Sequence, residues 1–394
     1  MPISKKILNL MKQGSWIRKM FEEGIALKAE FGEENIFDLS LGNPVINPPK
    51  EFYDQLKLIS IDPKPGMHRY MPNAGLQITR DAVAKELSYE TNFQFTGNQI
   101  IMTCGAGGAL NVIIKTLMDQ NDELIIFAPF FVEYKFYADN HGAKCKVIPP
   151  DDRFLPDMKS FEDSITSRTK AVLINSPNNP TGVLYTEDTL KNLTTIIKAK
   201  EKELNTEIFL ISDEPYRKII FDELNYPHIF QYHVRTIVAT SHSKDLAIPG
   251  ERIGYIAVNP EMQSSEELID GLVFCNRTLG FVNAPALIQH IVSQLQSVTV
   301  DVTDYERKRN YLYESLTEYG YSIVKPQGAF YMFPKSPIPD DVQFVEELKN
   351  EKILAVPGTG FGFPGHFRIS YCLEDKTIKG ALPGLHKAIS KYKN

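Results

Sequence analysis

The chain has 394 residues, 43% of them apolar and 23% charged, an ordinary globular composition that argues against disorder and low complexity. Lys and Arg number 43 against 49 Asp and Glu, a formal net charge of −6 that is not the footprint of a general nucleic-acid binder. Net charge says nothing about a single pocket, so a local anion site stays open. Cys104, Cys145, Cys275 and Cys372 lie far apart with no C-x-x-C pair, which fits reduced thiols in a cytoplasmic protein rather than a disulfide framework. No apolar run approaches the length of a membrane span, and MPISKKILNLMKQGSW lacks the apolar core of a secretory leader.

In chain order, residues 1–35 read as an amphipathic arm carrying Ile17, Met20, Phe21, Ile25 and Leu27. Residues 36–72 are rich in Pro and Gly and predict a loop-dominated stretch. Helical periods then cover 75–90 and 108–119. Seven short apolar runs read as buried strands: 99–103, 123–128, 143–149, 170–176, 207–213, 236–241 and 252–258. Helix-like stretches such as 186–200 separate several of them, which predicts an α/β layered domain on a mostly parallel sheet. The link from Lys244 to Ile253 is too short for a helical crossover, so the run at 252–258 is expected to pair antiparallel. Beyond 284 the texture changes. Helices are expected at 284–296 and 301–319, leading into SIVKPQGAFYMFP, followed by a helix near 341–350 and a final strand, HFRISYC, a smaller α+β domain.

Few single features carry chemistry alone. CGAGGAL (104–110) joins a strand to a helix, where free amides and the helix dipole favour phosphate. A dinucleotide fingerprint fails there, because Leu110 stands where the third glycine belongs. The strongest signal is SHSKDLAIPGERIG (241–254). Ser241, Ser243 and Arg252 make an anion site around the amine of Lys244, and an amine beside a phosphate site suits a phosphorylated aldehyde. Asp213, in SDEPY, ends an apolar strand, and a buried carboxylate there needs a cation. SPNNPTG (176–182) sets asparagines at the carboxyl edge of a sheet, where ligands of α/β proteins bind. None of the eight histidines has a metal-ligand spacing, so no metal is expected.

Together with LGNP (41–44), YMPNAG (70–75), APFFVEY (128–134), QGAFYMFP (327–334) and GHFRISY (365–371), these motifs resemble the fold-type-I pyridoxal-phosphate enzymes, specifically class I/II aminotransferases of the aspartate aminotransferase kind. Their order and spacing agree over nearly the whole chain. The resemblance implies a three-layer large domain on a mostly parallel seven-stranded sheet plus a smaller α+β domain. It divides the chain into 1–44 (arm and part of the small domain), 45–285 (large domain) and 286–394 (small domain). The implied cofactor is pyridoxal 5'-phosphate.

The resemblance also implies roles. Lys244 binds the cofactor aldehyde and moves the substrate proton. Asp213 holds the pyridine nitrogen protonated, and Asn179 and Tyr216 donate to the phenolic oxygen. The Ala106 and Gly107 amides, Ser241, Ser243 and Arg252 hold the phosphate, with Tyr70 reaching it from a neighbouring subunit of a homodimer. Phe131 stacks on the ring where many relatives have Trp or Tyr. Gly107 replaces a Ser or Lys of many relatives, leaving only backbone donors at that point. Arg368 clamps the substrate α-carboxylate beside Gly42. The implied activity is ping-pong transfer of an amino group from an L-amino acid to a 2-oxo acid, with aspartate, glutamate and 2-oxoglutarate favoured. Alanine or aromatic substrates, and a lyase or synthase of the carbon–sulfur lyase or aminocyclopropane-carboxylate synthase kind, are the alternatives. Arg277, in a surface ion pair or on a distal carboxylate, and His68 and Arg69 beside Tyr70 are further candidates for substrate contact.

Overall fold

A computed structural model describes residues 3–12 and 16–392. Twelve strands run in chain order: β1 (Phe37–Asp38), β2 (Ile100–Thr103), β3 (Glu123–Phe127), β4 (Lys144–Ile148), β5 (Thr169–Asn175), β6 (Phe209–Asp213), β7 (Thr236–Ser241), β8 (Gly254–Val258), β9 (Tyr331–Met332), β10 (Ile353–Leu354), β11 (Val356–Pro357) and β12 (Phe367–Ser370). Seven of them form one sheet in the order β2-β8-β7-β6-β5-β3-β4. β8 pairs antiparallel with both β2 and β7, and the remaining pairs are parallel. The short link after Lys244 therefore has the predicted consequence.

Side-chain alternation explains why these strands read as continuous apolar runs. On β5, Val172 and Ile174 enter one core while Ala171 and Leu173 enter another. On β8, Tyr255 and Ala257 face the first core, and Ile256 and Val258 the second. Both faces are covered, so both phases of the period-2 pattern must be apolar. β4 is one of the two edge strands, and its Lys144 and Val147 are exposed. A third core gathers Met20, Leu39, Phe330, Phe344, Ile353, Phe367 and Leu385 around β9 to β12. β1 pairs parallel with β10, which ties the segment before LGNP to that core.

Several expectations need correction. The 36–72 stretch contains a helix, Lys50–Ile61, that starts immediately after Pro49. Proline fixes φ near the helical value and suits a helix start. The helix buries only Phe52 fully, with Ile59 packed partly against the same core. The helix expected over 284–296 is shorter, Ala286–Val292, and begins after Pro285. A helix at Asp375–Ser390 follows β12, its buried face made by Ile378, Ala381, Leu382, Leu385 and Ala388 despite Pro383. The N-terminal arm is two helices, Lys5–Lys12 and Trp16–Phe31. Gln13 to Ser15 and the side chains of Ile17 and Phe21 lie outside the described residues.

Candidate active site

The parallel strands present their carboxyl ends to one place. β2 leads into the glycine turn, β5 into SPNNPTG, β6 ends on Asp213, and β7 ends on Ser241, three residues before Lys244. Polar residues concentrate there because the last peptide groups of parallel strands lack ladder partners, and crossovers leave a crevice above them.

Lys244 is half-buried, and its Nζ donates to the Gly42 carbonyl at 2.7 Å. Burial pushes its pKa down to about 8, with the Arg368 and Arg252 charges adding to the effect. The amine sits 5.4 Å from the centre of the Phe330 ring.

Asp213 is 5% exposed. Its Oδ2 accepts from the Tyr134 hydroxyl at 2.5 Å, while Oδ1 has no partner among the described residues. Burial pushes its pKa up to about 7, opposed by the Tyr134 bond and reinforced by the charge of Glu214. Glu214 is itself buried and is pushed up to about 7 for the same reason, with Arg217 opposing. Asn175, opposite Asp213 in the β5–β6 register, donates from Nδ2 to the Asp213 carbonyl at 2.9 Å. Its Oδ1 accepts from the Asn179 amide at 2.8 Å, which fixes the asparagine loop over the strand end.

Arg368 lies on β12 and is 2% exposed. Its Nη1 donates to Asn179 Oδ1 at 3.0 Å and its Nη2 to the Ser40 carbonyl, while Nε has no partner. It lies 4.5 Å from the Tyr331 ring centre and 4.8 Å from that of Phe361. Burial lowers its pKa. Among the described residues no carboxylate forms an ion pair with it. A buried guanidinium held only by carbonyl and amide oxygens has strong remaining demand for an anion.

In the glycine turn, Ala106 and Gly107 belong to the first turn of the helix Gly105–Leu117, where amides lack intrahelical acceptors. Gly105 has φ of +72°, and a Cβ there would come within 2.7 Å of Arg252 Nη2. Glycine therefore lets the guanidinium approach the turn. Arg252 also donates to the Pro249 carbonyl at 2.8 Å. Ser241 and Ser243 are buried in the same region. Phe131 is half-buried, its ring 5.7 Å from that of Tyr134.

Three chemical capacities meet here: an amine of lowered pKa, a buried carboxylate with one bare oxygen, and a buried guanidinium without a counter-ion. Residues 34–385 match the family model described as aminotransferase class I and II. The chain belongs to the class I and II aminotransferases. A probable aspartate aminotransferase of Methanocaldococcus jannaschii is 33% identical over 362 residues, covering 89% of this chain and 92% of the relative. The aspartate aminotransferase of Bacillus subtilis is 29% identical over 379 residues, with 91% and 92% covered. The crystal structure of an aminotransferase from Eubacterium rectale superimposes with a TM-score of 0.96 at 38% identity, over 100% of both chains. That of the aspartate aminotransferase from Thermotoga maritima gives 0.86 at 27% identity, over 98% of this chain and 100% of the other.

This aminotransferase uses pyridoxal 5'-phosphate, and its residues fit that group. The bare Asp213 Oδ1 suits a protonated pyridine nitrogen, and the glycine turn with Arg252 suits a phosphate.

Not every candidate joins the cluster. Tyr70 is 94% exposed and lines an open cavity of 640 Å³ with His68, Arg69 and Asn283. Arg277 is exposed at a helix end, 5.4 Å from the Phe274 ring, and forms no ion pair among the described residues. Other site residues escaped sequence reasoning. Tyr134, Glu133 and Tyr137 follow Phe131 on one short helix, and Tyr331 lies in QGAFYMFP. The motifs were visible, but which side chain turns toward Asp213 or Arg368 depends on three-dimensional placement. Glu133 is half-buried in the field of Arg368, with Oε2 lacking a partner. A Cβ at Gly107 would lie 3.1 Å from the Tyr137 hydroxyl, so this tyrosine occupies the space beside the turn that a larger residue would fill.

Proposed function

We propose that this aminotransferase exchanges amino groups between an aspartate-type amino acid and 2-oxoglutarate in a ping-pong cycle. The observation that carries this reading is the lysine amine, its pKa lowered to about 8 partly by the charge of Arg368, together with the unpartnered atoms of the buried Asp213 and Arg368 among the described residues. Several relatives carrying the name aspartate aminotransferase support the substrate class.

In this reading Arg368 binds the α-carboxylate and orients the Cα–H bond toward Lys244, with Gly42 beside it. Nζ of Lys244 removes the proton from Cα as a general base and returns it one position away. Asp213 stays ionised against the pyridinium. Asn179 and Tyr216 donate to the phenolic oxygen, and Phe131 packs on the ring. The Ala106 and Gly107 amides, Ser241, Ser243 and Arg252 hold the phosphate. Bound there, the pyridoxal ring would supply an electron sink for the electrons left at Cα when Lys244 takes its proton.

The enzyme works as a cytoplasmic homodimer in which Tyr70 of the partner subunit reaches the phosphate. The exposure of Tyr70, and of Leu58 and Ile61 on the helix Lys50–Ile61, supports a second chain over this surface. The chain divides into a large unit at 45–285 and a small one built from 1–44 and 286–394. No helix among the described residues is long and apolar enough to cross a membrane.

The test is a half-reaction screen. Holoenzyme is mixed with each amino acid in turn, and conversion of the cofactor to its amine form is followed by absorbance. Aspartate and glutamate should convert it fastest. Keto acid and ammonia released without that conversion would overturn the transfer reaction in favour of elimination.

A further inference from the structure

QGAFYMFP has no role in the reading above, yet one of its side chains touches three parts of the site. Tyr331 is 3% exposed. Its hydroxyl lies 3.1 Å from that of Tyr216, with the rings nearly perpendicular at 85°. Its ring faces the Arg368 guanidinium at 4.5 Å. A Cβ at Gly42 would fall 1.7 Å from the Tyr331 hydroxyl, so only glycine at 42 leaves room for it. The carbonyl of that same glycine accepts from Lys244. The backbone explains the meeting. β9 pairs antiparallel with β12, Tyr331 opposite Ser370, and Arg368 lies two residues along the strand on the same face.

We propose that Tyr331 is a positioning residue that holds the Tyr216 phenol and the Arg368 guanidinium in one arrangement. This rests on the roles given above to Tyr216 and Arg368. Burial raises the Tyr331 pKa, so the phenol stays protonated and can donate to Tyr216 Oη. A hydroxyl that accepts one hydrogen bond donates a stronger one. Tyr331 thereby sharpens the donation of Tyr216 to the phenolic oxygen, and donation there favours loss of the proton on the Lys244 nitrogen. Its aromatic face holds the guanidinium plane where a carboxylate meets both Nη atoms. The hydroxyl and the ring thus serve different parts of the reaction.

The experiment uses holoenzyme of the unaltered chain and of Tyr331→Phe, Tyr331→Leu, Tyr216→Phe and the double variant Tyr216→Phe/Tyr331→Phe. One readout is the pH midpoint of the absorption band of the Lys244-bound cofactor. The other is kcat and KM for the amino-acid substrate. Tyr331→Phe should raise the midpoint by about 0.5 pH unit with little change in KM. Tyr331→Leu should in addition raise KM by about tenfold, more than it changes kcat. In the Tyr216→Phe background, Tyr331→Phe should cause no further shift of the midpoint. A midpoint that moves in Tyr216→Phe but not in Tyr331→Phe overturns the proposal, and so does an equal Tyr331→Phe shift in both backgrounds. A midpoint unmoved by Tyr216→Phe overturns the role of Tyr216, and this proposal with it.

Discussion

Replacing Asp213 by asparagine separates what the site needs from what the fold tolerates. In the folded chain this carboxyl is pushed up to about 7 from an ordinary 3.8. Its raised pKa means that the folded state holds the proton more tightly than the unfolded chain. The associated stability is complete below pH 4 and is lost as pH rises through 7. Roughly 3 pKa units correspond to about 4 kcal/mol, so at pH 8 the ionised carboxylate destabilises the cofactor-free fold by something of that order. Asparagine has nearly the same shape, and its carbonyl can still accept from Tyr134. Cofactor-free Asp213→Asn should therefore melt about 5 °C above the unaltered protein at pH 8, given the unfolding entropy of a chain of this size. The difference should shrink as pH falls through 7 and vanish near pH 4. With cofactor the order should reverse, because a neutral amide gives a pyridinium no charge to face. Thermal unfolding with and without pyridoxal phosphate at pH 5, 6 and 8 measures all of this. A variant no more stable than the unaltered protein at pH 8, or an advantage that grows as pH falls, would refute the reasoning.

Four further predictions concern other parts of the site. Lys244→Ala should abolish the absorption band of the lysine-bound cofactor. In the unaltered protein the rate of cofactor capture should rise with pH and level off just above 8, since the amine must be neutral; a plateau reached only above 10 would contradict the lowered pKa. Arg368→Ala removes a two-pronged charged contact worth about 3 kcal/mol or more, so kcat/KM should fall at least ~100-fold while cofactor affinity measured by absorbance titration holds. Loss of cofactor binding in that variant would show that Arg368 serves the cofactor instead. Gly107→Ser should weaken cofactor binding by crowding the Tyr137 hydroxyl, and adding Tyr137→Phe should restore it; a single variant that binds as tightly as the unaltered protein would count against this packing.

Much of this protein is legible without coordinates. The strands of the large sheet other than β4 stand out because both faces are covered there, which favours near-continuous apolar runs. The antiparallel setting of β8 follows from chain length alone, since no crossover fits between Lys244 and Ile253. Lys244, Asp213 and Arg252 stand out because charged groups follow apolar runs, whereas Asn179 and Arg368 take their roles from the family resemblance. The helix Lys50–Ile61 was not legible, because it lies in a Pro- and Gly-rich stretch and fully buries only one side chain. Tertiary structure alone decided which aromatic residues serve the site. A tyrosine suits a core as well as a pocket, and the hydroxyls of Tyr134 and Tyr331 acquire meaning only from what lies at their ends: Asp213 for one, Tyr216 for the other. Composition and periodicity register burial, but the direction of a phenol depends on the packing of segments 79 and 115 residues apart.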